Sequence, residues 1–380
     1  MSKIFQNVSP QEGKQYRVIV WGAGGVGSHS IRAIAKRPNL KLVGVWVHRE
    51  EKVGRDAGSL VGIKPLGVIA TGDADAIIKM DADCVCYAVA GSDTGKIKEC
   101  IDDYCRILGS GKNIVSTSVP ALVYPKAFDS SMVKRLEAAC EAGSSSLFVS
   151  GMDPGFAGDF FPLALLTMSD RITSVRAIEI GDYRDYPVDF LMRRVWGYGQ
   201  PPDYQPLICR PGNLTRSWGP SIRMVADALG VQLDEIREKA HKPKVTERKL
   251  EIAVGTIDPG TIAAIRFETV GVVNGREAII IEHVNRISSD VALDWPSAAH
   301  PLTYRIIIEG KPNITCDFQF GFLHQGDDPS DHGMIGTAMR IVNAIPAVCE
   351  AKRGLLSAFD LPLTVPQQAF GSTHPIKSFD

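Results

Sequence analysis

Residues 17–27 read RVIVWGAGGVG and combine a strand, a glycine-rich turn and the start of a helix. Residues 18–21 are an apolar run, which is typical of a strand covered on both faces. The glycines match G-x-G-x-x-G, in which the first permits a tight turn, the second lets a phosphate approach and the third allows close helix packing. A helix is predicted over residues 28–37. This context predicts dinucleotide binding by Gly22, Ala23, Gly24, Gly25, Val26 and Gly27.

Strands and helices alternate through the first 150 residues, which predicts an α/β domain with a Rossmann-type, doubly wound parallel sheet. Helices are predicted over residues 95–108 and 128–142. Further apolar strands are predicted at residues 42–47, 83–90, 113–118 and 147–149.

The pattern changes after residue 172 to longer, alternating strands, and Asn274-Gly275 is a strong hairpin signal. With helices predicted at 220–229 and 234–239, this region is expected to be α+β, built on a largely antiparallel sheet. Residues 333–351 are predicted as one long helix kinked at Pro346. We therefore expect residues 1–150 plus 333–380 to bind the dinucleotide, and residues 151–332 to bind substrate and mediate oligomerisation.

The composition describes an ordinary globular protein. The 380 residues are 44% hydrophobic and 22% charged, with a net charge of −1, which disfavours nucleic acid and membrane partners. The polar start has no signal-peptide core, and no apolar run is long enough to span a membrane, so a cytoplasmic location is expected. The eight cysteines form no C-x-x-C pair and are expected to be reduced.

The end of the second strand bears on the choice of cofactor. An acidic residue there binds the ribose of NAD, whereas basic residues suit the 2′-phosphate of NADP. His48 and Arg49 occupy the tip and Lys52 follows, so NADP(H) is preferred and NAD(H) is possible. The alternative is a solvated charged loop that tolerates either cofactor.

Ligands of such folds lie at the carboxyl ends of the parallel strands. Residues expected there beside the cofactor are Ala88, Ala90, Ser116 and Thr117. Residues expected to face a small-molecule substrate are Ser118, Met152, Phe156 and Asn285. Nearby aromatic residues favour a substrate with an apolar part.

Hydride transfer needs a polar group that can move a proton, and His283 and Asp153 are the candidate catalytic residues. The alternatives are a satisfied sheet histidine for His283 and a turn-forming role for Asp153. His324, Asp327, Asp328, Asp331 and His332 form a polar cluster, which is interpreted as a solvated loop, so no metal is expected.

Several segments together resemble the dihydrodipicolinate-reductase-like family, in the branch that contains 2,4-diaminopentanoate dehydrogenase and native amine dehydrogenases. The resemblance rests on WGAGGVG (21–27), VGRDAG (53–58), GMDPGFAGDFFPLAL (151–165), GTIAAIRFETVG (260–271) and GTAMRIVNAIPAVCEA (336–351). It implies a Rossmann domain, an α+β domain, a homodimer and hydride transfer at a carbonyl or imine carbon.

One departure from this family concerns the substrate. Amine-acting members carry a glutamate just after the strand that ends at Ser118, where this sequence has Val119, Pro120 and Ala121. A carbonyl or alcohol substrate is therefore the first expectation. The alternatives are an amine dehydrogenase with a differently placed acid and a cofactor-binding protein without catalysis.

Overall fold

A computed structural model of the protein describes residues 14–89, 96–321, 328–367 and 369. Ala90, His324 and Asp327 lie outside the described residues. No helix in these ranges is both long enough and apolar enough to cross a membrane.

The strands fall into two large sheets and one small hairpin. In chain order they are β1 Tyr16–Trp21, β2 Leu40–Trp46, β3 Ala70–Thr71, β4 Cys84–Tyr87, β5 Asn113–Ser116, β6 Ser146–Val149, β7 Arg171–Asp182, β8 Glu235–Ala240, β9 Lys244–Val245, β10 Leu250–Ile252, β11 Gly255–Ile257, β12 Ile262–Val273, β13 Arg276–Arg286, β14 Leu302–Lys311, β15 Ile314–Gln319 and β16 Gly354–Leu356.

The α-helices of the described ranges pack on these sheets. They are α1 Gly25–Lys36, α2 Ala57–Leu60, α3 Ala74–Lys79, α4 Ile97–Gly109, α5 Ser130–Gly143, α6 Phe160–Leu166, α7 Asn213–Leu229, α8 Pro329–Val342 and α9 Ile345–Glu350.

The first sheet is parallel throughout and has the strand order β16-β6-β5-β4-β1-β2-β3, which confirms the predicted Rossmann-type fold. Successive residues of β1 point to opposite faces. Val18 and Val20 join one core with α1, α8 and α9, whereas Ile19 and Trp21 join another with α3, α4 and α5. Both faces are thus covered, as the apolar run in β1 requires.

The second sheet has the order β15-β14-β7-β13-β12-β8. The central β7–β13 pair is parallel and the other pairs in this order are antiparallel, so the sheet is mixed. Helix α7 packs on β12 and β13 through Trp218 and Ile222. The predicted hairpin joins β12 to β13, where Asn274 and Gly275 have φ values of 51° and 72°.

Three helix predictions differ from the structure in type or extent. Residues 235–239 of the helix predicted at 234–239 lie in β8, because pairing with the long edge of β12 outweighs the helix preference of this charged segment. Residues 333–351 do not form one helix: α8 begins earlier, at Pro329, and ends at Val342, and Pro346 lies in the first turn of α9, where its missing N–H is tolerated.

Helix α7 begins earlier than predicted. It starts at Asn213 and includes Pro220 in its interior. The predicted helix began at Pro220, and a proline ring disfavours an interior position of a helix. Burial of Leu214, Trp218 and Ile222 along one side of α7 outweighs that cost.

Candidate active site

The glycine-rich turn has the geometry expected of a dinucleotide site. Gly22 has a φ of 102°, and a Cβ there would lie 2.8 Å from the Ala88 carbonyl oxygen. A Cβ on Gly27 would lie 1.7 Å from the Gly22 carbonyl oxygen. Gly24 caps α1 and has open space where a Cβ would point. The turn therefore leaves room for a phosphate at the N-terminus of α1 and fits a nicotinamide dinucleotide.

Basic side chains follow β2, as the sequence predicted. His48 and Arg49 are exposed, and Arg49 lies 3.7 Å from Glu51. Lys52 reaches back to the glycine-rich turn, where its Nζ donates a hydrogen bond of 2.8 Å to the Ala23 carbonyl oxygen. A cationic group thus lies beside the turn that is expected to hold the phosphates.

The hydroxyl groups of Ser116 and Ser118, at and just after the end of β5, make hydrogen bonds to the backbone at the end of β4 and the residues after it. Ser116 is buried and its hydroxyl donates to the Tyr87 carbonyl oxygen at 2.9 Å. The Ser118 hydroxyl accepts a hydrogen bond from Val89 N at 3.0 Å and is also buried. Ser118 does not face the cavity described below, so its side chain holds neighbouring strand ends together instead of contacting substrate.

A cavity of about 250 Å³ lies between the two sheets and α8, and we call it the acidic cavity. Three carboxylates line it: Asp153, Glu179 and Asp182. Its described lining includes neither lysine nor arginine. The other residues that line it are Val26, Thr117, Pro120, Ser150, Gly151, Met152, Pro154, Tyr183, Tyr186, Trp196, Leu302, Tyr304, Ser330, Gly333, Met334 and Thr337.

Two of the carboxylates flank one imidazole. His283 Nε2 lies 2.9 Å from Asp153 Oδ2, and His283 Nδ1 lies 3.3 Å from Glu179 Oε1. The imidazole stacks on Phe267 and contacts Trp218, whose Nε1 donates to Asp153 Oδ2 at 3.2 Å. Asp153 Oδ1 is buried and has no hydrogen-bond partner among the described residues. This oxygen packs against Gly158, where a Cβ would lie 2.7 Å from it.

Burial and neighbouring charges shift the pKa values of His283, Asp153 and Glu179 in different directions. Burial alone would lower the pKa of His283, but the negative Glu179 and the Asp153 contact raise it to about 10. Burial raises the pKa of Asp153. Burial opposes ionisation of Glu179 too, yet His283 and hydrogen bonds from Tyr183 and Tyr304 lower its pKa. Glu179 and His283 thus form an ion pair, and of the two carboxyl groups that flank the imidazole Asp153 takes up a proton more readily.

This triad has a composition that can also hold a metal ion, since its three ligand atoms lie within 4.8 Å of one another. Both ring nitrogens of His283 face carboxylates, and its raised pKa keeps the ring protonated at neutral pH. A protonated imidazole has no lone pair to offer a metal. The geometry therefore favours a charge-paired triad.

His283 was predicted to act on substrate directly, and its position contradicts that role. It is 4% exposed, and it lies behind Asp153 and Glu179 instead of among the lining residues. The reason is that β13 is central in its sheet and covered by α7. His283 is absent from the lining of the acidic cavity, whereas Asp153 belongs to it.

The other residues predicted to face the substrate or cofactor differ in whether they line the acidic cavity. Met152 lines the acidic cavity, and so does Thr117, which was predicted to lie beside the cofactor. Phe156 instead packs in an aromatic cluster with Phe161 and Phe318. Asn285 is buried on β13, outside the lining, and its Oδ1 has no partner among the described residues.

Glu179 is the functional residue that the sequence analysis missed. It lies in β7 on the same side as Val175 and Ala177, in the segment VRAIEIG. An acidic residue in phase with the apolar side of a strand was the available signal, because a buried carboxylate needs a partner. That partner, His283, is 104 residues away in sequence.

The Asp153 loop is held by a buried carboxylate. Asp159 accepts hydrogen bonds from Gly155 N at 2.9 Å, Phe160 N at 2.6 Å and the Ser221 hydroxyl at 2.6 Å. It caps α6 and ties the loop to α7. These contacts hold Asp153 in place beside the cavity.

Comparison with known proteins gives related enzymes over nearly the whole chain. Residues 16–87 match the family model of the dihydrodipicolinate reductase N-terminus, and residues 208–375 match that of the 2,4-diaminopentanoate dehydrogenase C-terminal domain. An amine dehydrogenase of Streptomyces virginiae is 38% identical over 352 residues, which cover 91% of this chain and 96% of that protein.

Two more distant relatives extend the similarity. A 2,4-diaminopentanoate dehydrogenase of Acetoanaerobium sticklandii is 24% identical over 371 residues, covering 94% of this chain and 96% of that protein. The solved structure of an amine dehydrogenase from Mycobacterium smegmatis has a TM-score of 0.75 at 18% identity, covering 93% of this chain and 98% of that chain. The structural likeness shows a shared fold.

Proposed function

This chain belongs to the dihydrodipicolinate-reductase-like family, in the branch of 2,4-diaminopentanoate dehydrogenase and the amine dehydrogenases, and on that premise we propose that it is an amine dehydrogenase. As a family member it is an NAD(P)-dependent oxidoreductase that acts on a small molecule. In the proposed reaction a carbonyl compound and ammonia give an amine as the reduced cofactor is oxidised, and the reverse reaction oxidises the amine.

The observation that carries this proposal is the charge of the acidic cavity. Its described lining holds the three carboxylates Asp153, Glu179 and Asp182 and neither lysine nor arginine. Such surroundings favour a cation, and an ammonium group is the cation that this family's chemistry involves. The carboxylate that the sequence lacks after Ser118 is thereby replaced by Asp153, from another loop, with Glu179 beside it.

The proton chemistry follows from the pKa order of the triad. Asp153 accepts a proton from the substrate ammonium, which frees the nitrogen lone pair to form the C=N bond as hydride leaves carbon. In the reductive direction it returns the proton to nitrogen. The imidazole of His283, held in its ion pair with Glu179, keeps Asp153 in orientation. A bound nicotinamide supplies or accepts the hydride.

The first experiment measures oxidation of NADPH and NADH with a panel of ketones and aldehydes, with and without ammonia. Ammonia-dependent oxidation that yields the amine is the expected result. Oxidation at the same rate without ammonia would contradict the proposal and support reduction of a carbonyl group.

A substitution of Asp153 tests whether its carboxylate takes part in this reaction. Asp153→Asn keeps the shape but cannot take up the proton, so kcat should fall by about 10²-fold or more. Asp170→Asn, on an exposed loop, is the matched control and should leave kcat unchanged. An Asp153→Asn enzyme with full activity would remove Asp153 from the mechanism.

The second candidate function is hydride transfer to a carbonyl or from an alcohol. The observation in its favour is that the turn at Pro120–Val123 follows β5 and carries no carboxylate. It remains the alternative outcome of the ammonia experiment.

For the cofactor we propose a preference for NADP(H), supported by the exposed His48 and Arg49 at the end of β2. Arg49→Ala should weaken NADPH binding about 10-fold, because a charge-assisted contact to the 2′-phosphate is lost, and should change NADH binding little. Fluorescence titration measures both. Lys41→Ala, at the other end of β2, is the control. Equal loss for both cofactors would contradict the preference.

We also propose a cytoplasmic homodimer. The family resemblance supports the dimer, and light scattering of the purified protein tests it. The eight cysteines are free, which supports a reducing compartment such as the cytoplasm. Cell fractionation tests the location.

A further inference from the structure

The start of α1 carries a positive partial charge that no side chain in the described ranges neutralises. Gly24 caps this helix without a side-chain hydrogen bond, and the first turn of α1 contains no acidic residue. The backbone N–H groups of Gly25, Val26 and Gly27 have no hydrogen-bond acceptor among the described residues. These donors and the helix dipole favour an anion at this end of α1.

Lys52 adds a full positive charge at the same place. Its Nζ lies 2.8 Å from the carbonyl oxygen of Ala23, the residue before the cap of α1. The side chain is partly buried, and it forms no ion pair with a carboxylate of the described residues. An ammonium group has three N–H donors, of which the Ala23 carbonyl oxygen uses one. A cation without a counterion therefore lies beside a helix end that repels it, and a bound anion would remove this repulsion.

The basic residues Arg49 and Lys52 extend to different places, although one turn contains both. Lys52 N donates to the Arg49 carbonyl oxygen at 3.0 Å, in the short 3₁₀ helix Glu50–Lys52. The Arg49 side chain is 73% exposed and lies beside Glu51 at the end of β2. The Lys52 side chain instead reaches the glycine-rich turn. Arg49 thus suits the adenosine end of a dinucleotide, whereas Lys52 is placed for its diphosphate.

We infer that the Lys52 ammonium binds the diphosphate of the nicotinamide dinucleotide. This inference rests on the proposed function for the class of ligand. It goes beyond it by assigning a side chain to the part of the cofactor that NADH and NADPH share. Lys52 should therefore strengthen the binding of both cofactors to the same extent, whereas Arg49 should distinguish them.

Fluorescence titration with NADH and with NADPH is the first test. Lys52→Gln removes the charge and leaves an amide donor, so both dissociation constants should rise about 10-fold or more, because a charge-assisted hydrogen bond to phosphate is lost. Lys52→Arg keeps the charge and should stay within about threefold of the wild type. Lys36→Gln, which removes an equal charge at the opposite end of α1, is the control and should change neither constant.

The pattern across the two cofactors decides the outcome of the titration. A loss confined to NADPH would mean that Lys52 contacts the 2′-phosphate, and it would overturn the inference. Unchanged affinity of Lys52→Gln for both cofactors would overturn it as well.

Inorganic pyrophosphate provides a second test, without a nucleoside and without turnover. It should raise the Tm of the wild type and of Lys36→Gln more than sodium chloride of equal ionic strength does, because an anion that binds the folded state stabilises it. The rise should be smaller or absent in Lys52→Gln. Equal Tm shifts in the wild type and in Lys52→Gln would mean that Lys52 only holds the loop after β2, and the inference would fail.

Failure of this inference differs from failure of the proposed function. If neither NADH nor NADPH binds the wild type, the proposed function fails, and the pyrophosphate experiment still decides whether Lys52 binds a diphosphate. If both cofactors bind and Lys52→Gln binds them as tightly as the wild type does, the inference fails alone.

Discussion

His283 determines the charge balance of the candidate site, although it does not face the cavity. It is a buried cation between two buried carboxylates. Removing one partner of such a group leaves uncompensated charge in a low-dielectric interior, which costs more than the contact itself contributes. The role of His283 is therefore visible in stability and its pH dependence as well as in activity.

His283→Gln should lower the free energy of unfolding at pH 7 by about 3–5 kcal/mol. The pKa of His283 is raised from 6.5 to about 10 on folding, so its contribution is fully present below pH 6.5 and is lost as pH rises through 10. The difference between wild type and variant should therefore shrink from pH 6 to pH 10.

Urea unfolding at several pH values measures this difference. His48→Gln, at an exposed position, is the control and should change stability little at every pH. A difference that grows with pH would mean that the imidazole is neutral in the folded protein.

At the scale of elements, two glycines at the start of α1 are needed for different reasons: Gly24 for space beside a ligand and Gly27 for close backbone packing. Gly24 has open space around its missing side chain and a φ of −83°, which alanine accepts. Gly27 packs against the Gly22 carbonyl group, where no side chain fits. The same pattern of residues thus contains one glycine kept for the ligand and one kept for packing.

Gly24→Ala should leave the unfolding free energy within about 0.5 kcal/mol but weaken cofactor binding at least 10-fold, because the methyl group occupies the space that the phosphate needs. Gly27→Ala should reduce both stability and cofactor binding. Urea unfolding without cofactor and fluorescence titration with NADPH distinguish these outcomes. Equal stability losses in the two variants would contradict the assignment.

The N-terminus of α6 is a second element-scale case. Asp159→Ala leaves three donors without their acceptor in a fully buried position and should destabilise the protein by roughly 2–4 kcal/mol. It should also lower kcat, since the Asp153 loop loses its tie to α7. The matched control is Asp129→Ala, the exposed cap of α5. It should cost about 1 kcal/mol and leave kcat unchanged. Similar effects of the two variants would contradict a special role for Asp159.

At the scale of the whole molecule, the acidic cavity is assembled from distant parts of the chain. Thr117 comes from the first sheet, Glu179 and Tyr304 from the second, and Met334 and Thr337 from α8. Helix α8 also packs on α1, where Met334 contacts Gly25. The helix therefore connects the glycine-rich turn to the site.

Arg340 of α8 connects the helix to the loop that carries Asp153. Its guanidinium donates to the Gly155 carbonyl oxygen at 3.1 Å and lies about 5 Å from the ring centres of Phe156 and Phe160. Arg340→Met should destabilise the protein by about 1–3 kcal/mol and lower kcat, because the Asp153 loop loses a donor and a cation–π contact. Arg353→Met, which removes an exposed arginine, is the control. An Arg340→Met enzyme with wild-type stability and kcat would contradict the coupling.

Much of the fold followed from local patterns. The apolar β1, the glycine-rich turn and the Asn274-Gly275 hairpin were predictable because each depends on the conformations that nearby residues allow. Strand β8 was not, since its pairing with β12 is a long-range interaction. The length of α7 was underestimated, because burial of its apolar side outweighs the cost of Pro220 in the helix interior.

By itself the sequence determined the nucleotide fold and the family, since these depend on short motifs and their spacing. Only the tertiary structure decided that Asp153 and Glu179 flank His283 and that both belong to the lining of the acidic cavity. The physical reason is that a charged residue in an alternating strand is exposed or buried according to what covers the sheet. Its pKa and role then depend on partners far away in the chain.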